Sequence, residues 1–170
     1  MIHTLSVLWS AFFLICQLRW RPQDLPASSI LLMLSLGIYT LVSMILSLFQ
    51  LSVERAILSA LLDTSLLILL TSSLLAIVRY SARISQTLTA LAGTNSILGI
   101  LCIPLLFWLK QFQPGEVALP ELLLLVLIVW NIVVYAHILR HALEIPFFVG
   151  VILTIITHLL TFALFNLIIN

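Results

Sequence analysis

Residues 126–146, VLIVWNIVVYAHILRHALEIP, join two strongly apolar segments and carry most of the unusual side chains of the chain. Five of them follow at helical steps of four, three, four and three: Trp130, Val134, His137, His141 and Glu144. Residues so spaced share one helix face, which here is apolar at one end and ionisable at the other. We interpret the stretch as the end of one spanning helix, a tight turn at a membrane surface and the start of the next helix.

Composition makes the bilayer the solvent for most of the chain. Of its 170 residues, 63% are hydrophobic and 8% are charged, and the mean hydropathy is +1.29. Soluble domains have roughly 45–50% apolar and 25% charged residues. A soluble fold cannot bury so much apolar surface, whereas apolar runs of about twenty residues match a bilayer. We therefore predict an all-α polytopic membrane helical bundle that forms a single integral membrane domain.

Five spanning helices and one N-terminal interfacial helix are predicted. Residues 2–18 are apolar but shorter than the ~20 residues that cross a bilayer, so we expect a helix that lies in or dips into the interface, with a true span as the alternative. Two prolines in the polar segment 19–29, RWRPQDLPASS, then interrupt the helix. The predicted spans cover, to within a few residues, 28–51, 56–78, 88–109, 122–142 and 146–168.

The few charged residues report on topology and give no indication of a nucleic-acid partner. With residues 19–27 in the cytosol, the inside loops carry five arginines, whereas the outside loops carry Arg55 and Lys110. Because cationic loop residues favour the cytosolic side, this distribution predicts an external C-terminus. A net charge of +1 with scattered basic residues excludes the concentrated patch that phosphate backbones require.

Polar side chains at membrane depth are predicted to form two layers. Asp63 is the one carboxylate well inside a span, where a charge costs at least about 2.5–3.5 kcal/mol. Counting ~1.5 Å per residue, it lies about 10 Å from the outer surface, level with His158 and Ser43, whereas Asn95 lies about 10 Å from the inner surface. We therefore expect that Asn95 does not meet Asp63. The inner layer has these further members: Ser72, Ser73 and Tyr135.

Two interpretations of these layers stay open. Hydrogen bonds between neighbouring helices account for the polar side chains without any further role. Alternatively, Asp63 and His158 form a proton relay or a substrate site, because ionisable residues inside a membrane often mark pathways.

A stripe of small residues on the third span predicts a close helix contact. Ala92, Ser96 and Gly99 follow at steps of four and three, and small side chains let two helix backbones approach each other. The stripe is either an internal packing seam, which we favour, or an interface with a second copy of the protein.

His137, His141 and Glu144 have a spacing that zinc can use, because two histidines one turn apart are followed by a carboxylate on the same face. Zincins, however, have HExxH and a further ligand, and here Ile138 replaces the glutamate. We favour interfacial histidines and a Glu–Arg pair at a cytosolic turn that includes Arg140, with no metal and no cofactor. Since no nucleophile stands beside a matched base and no glycine-rich phosphate loop occurs, the sequence indicates a protein that is not an enzyme.

Three stretches resemble the Yip (Ypt-interacting protein) membrane-domain family: RPQDLPAS before the first span, TALAGTNSILGILCIPL at the start of the third, and WNIVVYAHILRHALEIPF before the fifth. The similarity extends over nearly the whole chain. The resemblance implies five closely spaced helices and a non-enzymatic role in a membrane. It does not identify functional residues. The long cytosolic extensions typical of eukaryotic members are absent here, so the chain looks more like the compact bacterial relatives, which implies the bacterial inner membrane.

Two functional hypotheses follow. The first is a small non-enzymatic integral membrane protein that acts as scaffold or partner subunit of a membrane assembly, in contact with the lipid bilayer and with other membrane proteins or a second copy of itself. The alternative is a transporter or channel component in which Asp63 and His158 handle protons or a small solute. Asp63→Asn separates them, because it should abolish proton-coupled flux and leave partner binding largely intact.

Overall fold

The computed structural model describes residues 10–111 and 119–169, and in these ranges the regular structure is helical throughout. Five long helices follow one another: α1 (Ser29–Ser47), α2 (Val53–Ile77), α3 (Ile84–Leu109), α4 (Leu119–Leu143) and α5 (Phe147–Ile169). Each contains a stretch long and apolar enough to cross a membrane. The predicted fold class, an all-α multi-pass membrane bundle, is confirmed.

An N-terminal segment, residues 10–25, packs into this bundle. Residues 10–16 are helical, and Ile15 and Cys16 are buried. The ring of Phe12 lies against α3 at Gly93, so close that a Cβ there would be 2.5 Å from the ring. Of the expected interfacial helix, the described part therefore dips into the bundle, and residues 2–9 lie outside the described residues.

α3 is the central helix and packs against α1, α2 and α4. Its predicted small-residue stripe lies inside the bundle, where Ala92 and Ser96 are buried. A Cβ at Gly99 would be 2.6 Å from Val42 of α1. The stripe is thus placed at an internal helix contact, because the missing side chain lets α1 approach.

α3 also begins four residues earlier than expected. The side-chain nitrogen Nε2 of Gln86 donates to the backbone carbonyls of Gln23 at 3.2 Å and Leu25 at 2.7 Å. The Thr87 hydroxyl donates to the carbonyl of Arg83 at 2.8 Å. Since the N-terminal segment and the helix backbone satisfy these polar groups, a stretch that hydropathy indicates as a loop forms the first turn of the helix.

Three helix ends at one end of the bundle are closed by residues other than glycine. Leu18, Arg79 and Glu144 have φ values of 62°, 63° and 57°. After Arg79 the amide of Tyr80 donates to the carbonyl five residues back at 2.8 Å, and after Glu144 the amide of Ile145 does the same at 3.1 Å. Each of these bonds belongs to a Schellman motif, which pairs a backbone carbonyl that the end of the helix would otherwise leave unpaired.

Candidate functional site

Two adjoining cavities of about 280 and 470 Å³ lie in the middle of the bundle and share a polar lining. The side chains that line both come from four helices, α1, α2, α3 and α5: Tyr39, Asp63, Asn95 and His158. α4 adds Tyr135 to the smaller cavity and Asn131 to the larger. We call the two together the central cavity.

The expected separation into two polar layers is wrong. Asn95 and Tyr135, assigned to the inner layer, line the smaller cavity together with Asp63 and His158 of the outer layer. Ser43, the remaining outer-layer residue, lines the larger one. Two expected inner-layer residues are not among the lining residues: Ser72 and Ser73.

The two layers merge because α2 and α3 each begin about one turn earlier than hydropathy indicates. α2 begins at Val53 and α3 at Ile84, and these two starts lie at opposite ends of the bundle. At ~1.5 Å per residue, Asp63 lies about 15 Å along α2 and Asn95 about 16 Å along α3. Both side chains are therefore close to the middle of a hydrocarbon core that is about 30 Å thick.

Asp63 is held by two hydroxyl groups from one face of α1. Its Oδ2 accepts a hydrogen bond from the Tyr39 hydroxyl at 2.7 Å and another from the Ser43 hydroxyl at 2.8 Å. Within the described residues, its other oxygen, Oδ1, receives no hydrogen bond. The carboxylate thus has one oxygen fixed by the protein and one available to a proton or to a bound group.

His158 lines the same cavity without contacting Asp63 through a hydrogen bond. Its Nδ1 lies 2.8 Å from the carbonyl oxygen of Thr154, and its ring packs edge-on against Tyr135 with centroids 5.2 Å apart. Because a carbonyl only accepts, Nδ1 carries the hydrogen, which leaves Nε2 to accept a hydrogen bond or a proton. A direct relay between the two ionisable groups is therefore not formed, although both border one cavity.

Sequence reasoning missed two of the polar residues around Asp63 and Asn95. Tyr39 precedes Ser43 by one helical turn, so this spacing alone was a signal that both reach the same neighbour. Asn131 donates from Nδ2 to Oδ1 of Asn95 at 2.6 Å. In the sequence, Asn131 could have been recognised as a polar contact residue because it is an amide next to Trp130 in an otherwise apolar run.

A second polar pocket of about 430 Å³ lies at the end of the bundle where the N-terminal segment, the turn before α3 and the turn after α4 meet. We call it the arginine pocket. Six charged or ionisable side chains line it: Arg21, Asp24, Arg83, Arg140, His141 and Glu144.

Glu144 forms an ion pair with Arg83 of the turn before α3, and not with Arg140 of its own turn as expected. Nη2 of Arg83 lies 2.6 Å from Oε1, and the Tyr80 hydroxyl donates to Oε2 at 3.1 Å. The hydrogen bond from Arg83, followed by that from Tyr80, holds the pKa of Glu144 below its usual value of 4.5. The same carboxylate raises the pKa of Tyr80, chiefly because it accepts the phenolic proton in a hydrogen bond.

The α4 face that begins at Trp130 binds the N-terminal segment. The indole Nε1 of Trp130 donates to the carbonyl of Cys16 at 3.1 Å, and Nε2 of His137 lies 3.1 Å from the carbonyl oxygen of Trp20. The ring of His141 packs edge-on against that of His137 with centroids 4.6 Å apart. Over residues 10–111 and 119–169, no three His, Cys, Asp or Glu side chains are grouped as metal ligands.

No family model, curated protein or solved structure matches the chain.

Proposed function

We propose that this chain is a non-enzymatic membrane protein that binds a small polar or cationic solute, or exchanges a proton, in the central cavity. The observation that carries the proposal is Oδ1 of Asp63, which accepts no hydrogen bond from the described residues and borders a cavity lined by polar groups of five helices. Small-molecule sites are mostly apolar cavities of roughly 300–1,000 Å³ with a few convergent polar groups, which is the arrangement here. Carboxylates at membrane depth commonly belong to ion or proton pathways.

A carboxylate with one free oxygen can couple a proton to a cation. At membrane depth a carboxyl group that binds a proton avoids the cost of a charge in a low-dielectric environment. A bound cation neutralises the carboxylate instead, and the proton leaves. Nε2 of His158 borders the same cavity and is a second place for that proton.

Proton flux into liposomes tests this proposal. The full chain is reconstituted, and internal pH is followed with a trapped dye when a potassium diffusion potential is imposed and, separately, when tetramethylammonium, which has no proton to lose, is added outside without a potential. We expect flux above that of protein-free liposomes, and Asp63→Asn should abolish it. Glu54→Gln is the matched control, because it neutralises an exposed carboxylate on the same helix outside the cavity. Equal flux in wild type and Asp63→Asn, or none in wild type, would contradict the proposal.

We further propose that the bundle lies in a bacterial inner membrane with the arginine pocket in the cytosol and the C-terminus outside. The charge distribution supports this orientation, since the pocket brings together three arginines from separate parts of the chain, Arg21, Arg83 and Arg140. The resemblance to bacterial Yip-family members supports the same membrane.

A scaffold or partner subunit is the second candidate, and a groove on α1 favours it. The groove measures about 700 Å³ and is lined mostly by apolar side chains around Gly37. Among the described residues, no atom outside the adjoining turns of α1 lies within 4 Å of where a Cβ would stand on that glycine. A helical glycine with open space beside it permits close approach by a transmembrane helix of another membrane protein or a second copy.

Co-purification in mild detergent separates the two candidates. A scaffold should lose its partner in Gly37→Leu, which fills the groove, and keep it in Asp63→Asn. If Gly37→Leu retains every co-purifying membrane protein and the same oligomeric state, the groove is not a partner site.

A further inference from the structure

We propose that the arginine pocket binds a phosphate group at the membrane surface, that of an anionic phospholipid headgroup. The pocket lies where α4 ends at Leu143 and α5 begins at Phe147, which is the depth at which spanning helices reach the headgroups. Its volume of about 430 Å³ accommodates a headgroup.

The charges of the pocket are unevenly matched. Arg83 is neutralised by Glu144 at 2.6 Å. Asp24 is engaged through Oδ2 by the backbone amide of Arg21 at 2.8 Å. In the part of the chain that the structure describes, the guanidinium groups of Arg21 and Arg140 form no ion pair, and the lining holds three arginines against two carboxylates, a formal excess of one positive charge.

Guanidinium groups suit a phosphate better than other side chains do. Their planar arrangement of N–H donors matches two phosphate oxygens at once, and they are more weakly hydrated than an ammonium group. Arg21 comes from the N-terminal segment and Arg140 from α4, so a phosphate between them would be held from two sides.

The pocket is also fixed before any ligand binds. The side-chain amide of Gln23 donates to the carbonyl of His141, and Nη1 of Arg83 donates to that of Ala142 at 3.3 Å. These bonds tie the N-terminal segment and the turn before α3 to α4. Because the surrounding backbone is already ordered, less conformational entropy is lost when the ligand binds.

A lipid is the source of phosphate that this position favours. Basic pockets between transmembrane helices on the cytosolic side bind anionic headgroups. A soluble phosphorylated compound offers the same chemistry, so the experiment includes both.

Native mass spectrometry of the full chain in detergent, titrated with phosphatidylglycerol and separately with phosphatidylethanolamine, tests the proposal. We expect tighter binding of phosphatidylglycerol. Since each basic residue near an anionic surface contributes roughly fivefold to affinity, Arg21→Gln/Arg140→Gln should weaken it about 25-fold and each single variant about fivefold. The matched control is Arg19→Gln/Arg79→Gln, which removes the same charge from the same end of the bundle without touching the pocket lining.

Each outcome has a defined meaning. Equal losses in the two double variants would show diffuse attraction to the surface and overturn the proposal, as would no loss in either. A selective loss supports it. In that case, displacement of the lipid by inorganic phosphate or glycerol 3-phosphate at similar concentration assigns the site to soluble phosphates, and resistance to displacement assigns it to the headgroup. The single variants keep the test valid if the double variant does not fold.

Discussion

Asp63 owes its position in the bundle to the hydroxyl groups of Tyr39 and Ser43. We expect Tyr39→Phe to lower the free energy of unfolding by about 1 kcal/mol, because hydrogen bonds between membrane helices contribute about 0.6–1.7 kcal/mol. In an Asp63→Leu background the same substitution should cost much less, since the acceptor is gone. A double-mutant cycle on reversible unfolding in detergent measures the difference. Strictly additive costs would show that the hydroxyl does not bond to Asp63.

The Glu144 network predicts a stability that depends on pH. Its pKa is lowered by the hydrogen bonds from Arg83 and Tyr80. A group whose pKa is lowered on folding contributes stability above its unfolded value, here the usual 4.5, and that contribution is lost as the pH falls through the folded pKa.

We therefore expect the Tm in detergent to fall below pH 4.5 more steeply in wild type than in Glu144→Gln, where this carboxyl no longer titrates. Tyr80 acts in the opposite direction. Its raised pKa contributes stability below pH 10.0 that is lost as the pH rises through the folded value. Parallel acid profiles for wild type and Glu144→Gln would contradict the assignment.

Residue identity predicted which side chains are unusual and left their partners undetermined. A carboxylate inside an apolar helix needs donors or a proton, so Asp63 and its proximity to Ser43 followed from charge and depth. The rotation of α1 about its axis, which brings Tyr39 to the same oxygen, depends on packing against α3. The pairing of Asn95 with Asn131 depends in the same way on the rotations of α3 and α4, since helix rotation is set by many neighbours at once.

Two helical glycines allow the packing of the elements to be tested. A Cβ at Gly93 would lie 2.5 Å from the ring of Phe12, whereas one at Gly37 would have no neighbour within 4 Å from the other described elements. Gly93→Ala should destabilise the bundle by about 1–3 kcal/mol, because overpacking displaces the ring. Gly37→Ala should be neutral or stabilising by up to about 1 kcal/mol through better helix propensity. Thermal unfolding in detergent measures both.

Phe12→Leu supplies the control for this pair. The smaller side chain should restore part of the stability lost in Gly93→Ala, since the two groups then share the available space. If Gly93→Ala is no less stable than Gly37→Ala, the N-terminal segment does not pack against α3 as described.

The positions of the helix ends were the hardest features to predict from the sequence. Glycine usually marks a left-handed helix end, yet Leu18, Arg79 and Glu144 adopt that conformation here, at a cost of roughly 1–2 kcal/mol each. The start of α3 was hidden for a different reason. Its polar residues look like loop residues until Gln86 is seen to bond the carbonyls of the N-terminal segment.

Orientation of the whole molecule is tested by accessibility of single cysteines. In a background that lacks Cys16 and Cys102, Arg55→Cys and Arg79→Cys place a thiol at opposite ends of α2. With the arginine pocket in the cytosol, a membrane-impermeant maleimide should label Arg55→Cys in intact cells and Arg79→Cys after permeabilisation alone. The reverse pattern would invert the proposed topology.

Hydropathy and length predicted the five long helices, because an apolar run of about twenty residues can cross a bilayer only with its backbone groups paired within a helix. The same two quantities contain no information on contacts between distant segments. The burial of the N-terminal segment against α3 and α4 is such a contact, and it also determines which side chains line the arginine pocket.

The docking of residues 10–25 has a consequence for biogenesis. This segment leaves the ribosome before α4, and its anchor at His141 lies 118 residues after Gln23. At translation rates of about 5–20 residues per second, the segment waits on the order of ten seconds for α4 to enter the membrane. Nascent chains arrested before that point carry this segment undocked from α4, and completion of α4 ends that exposure.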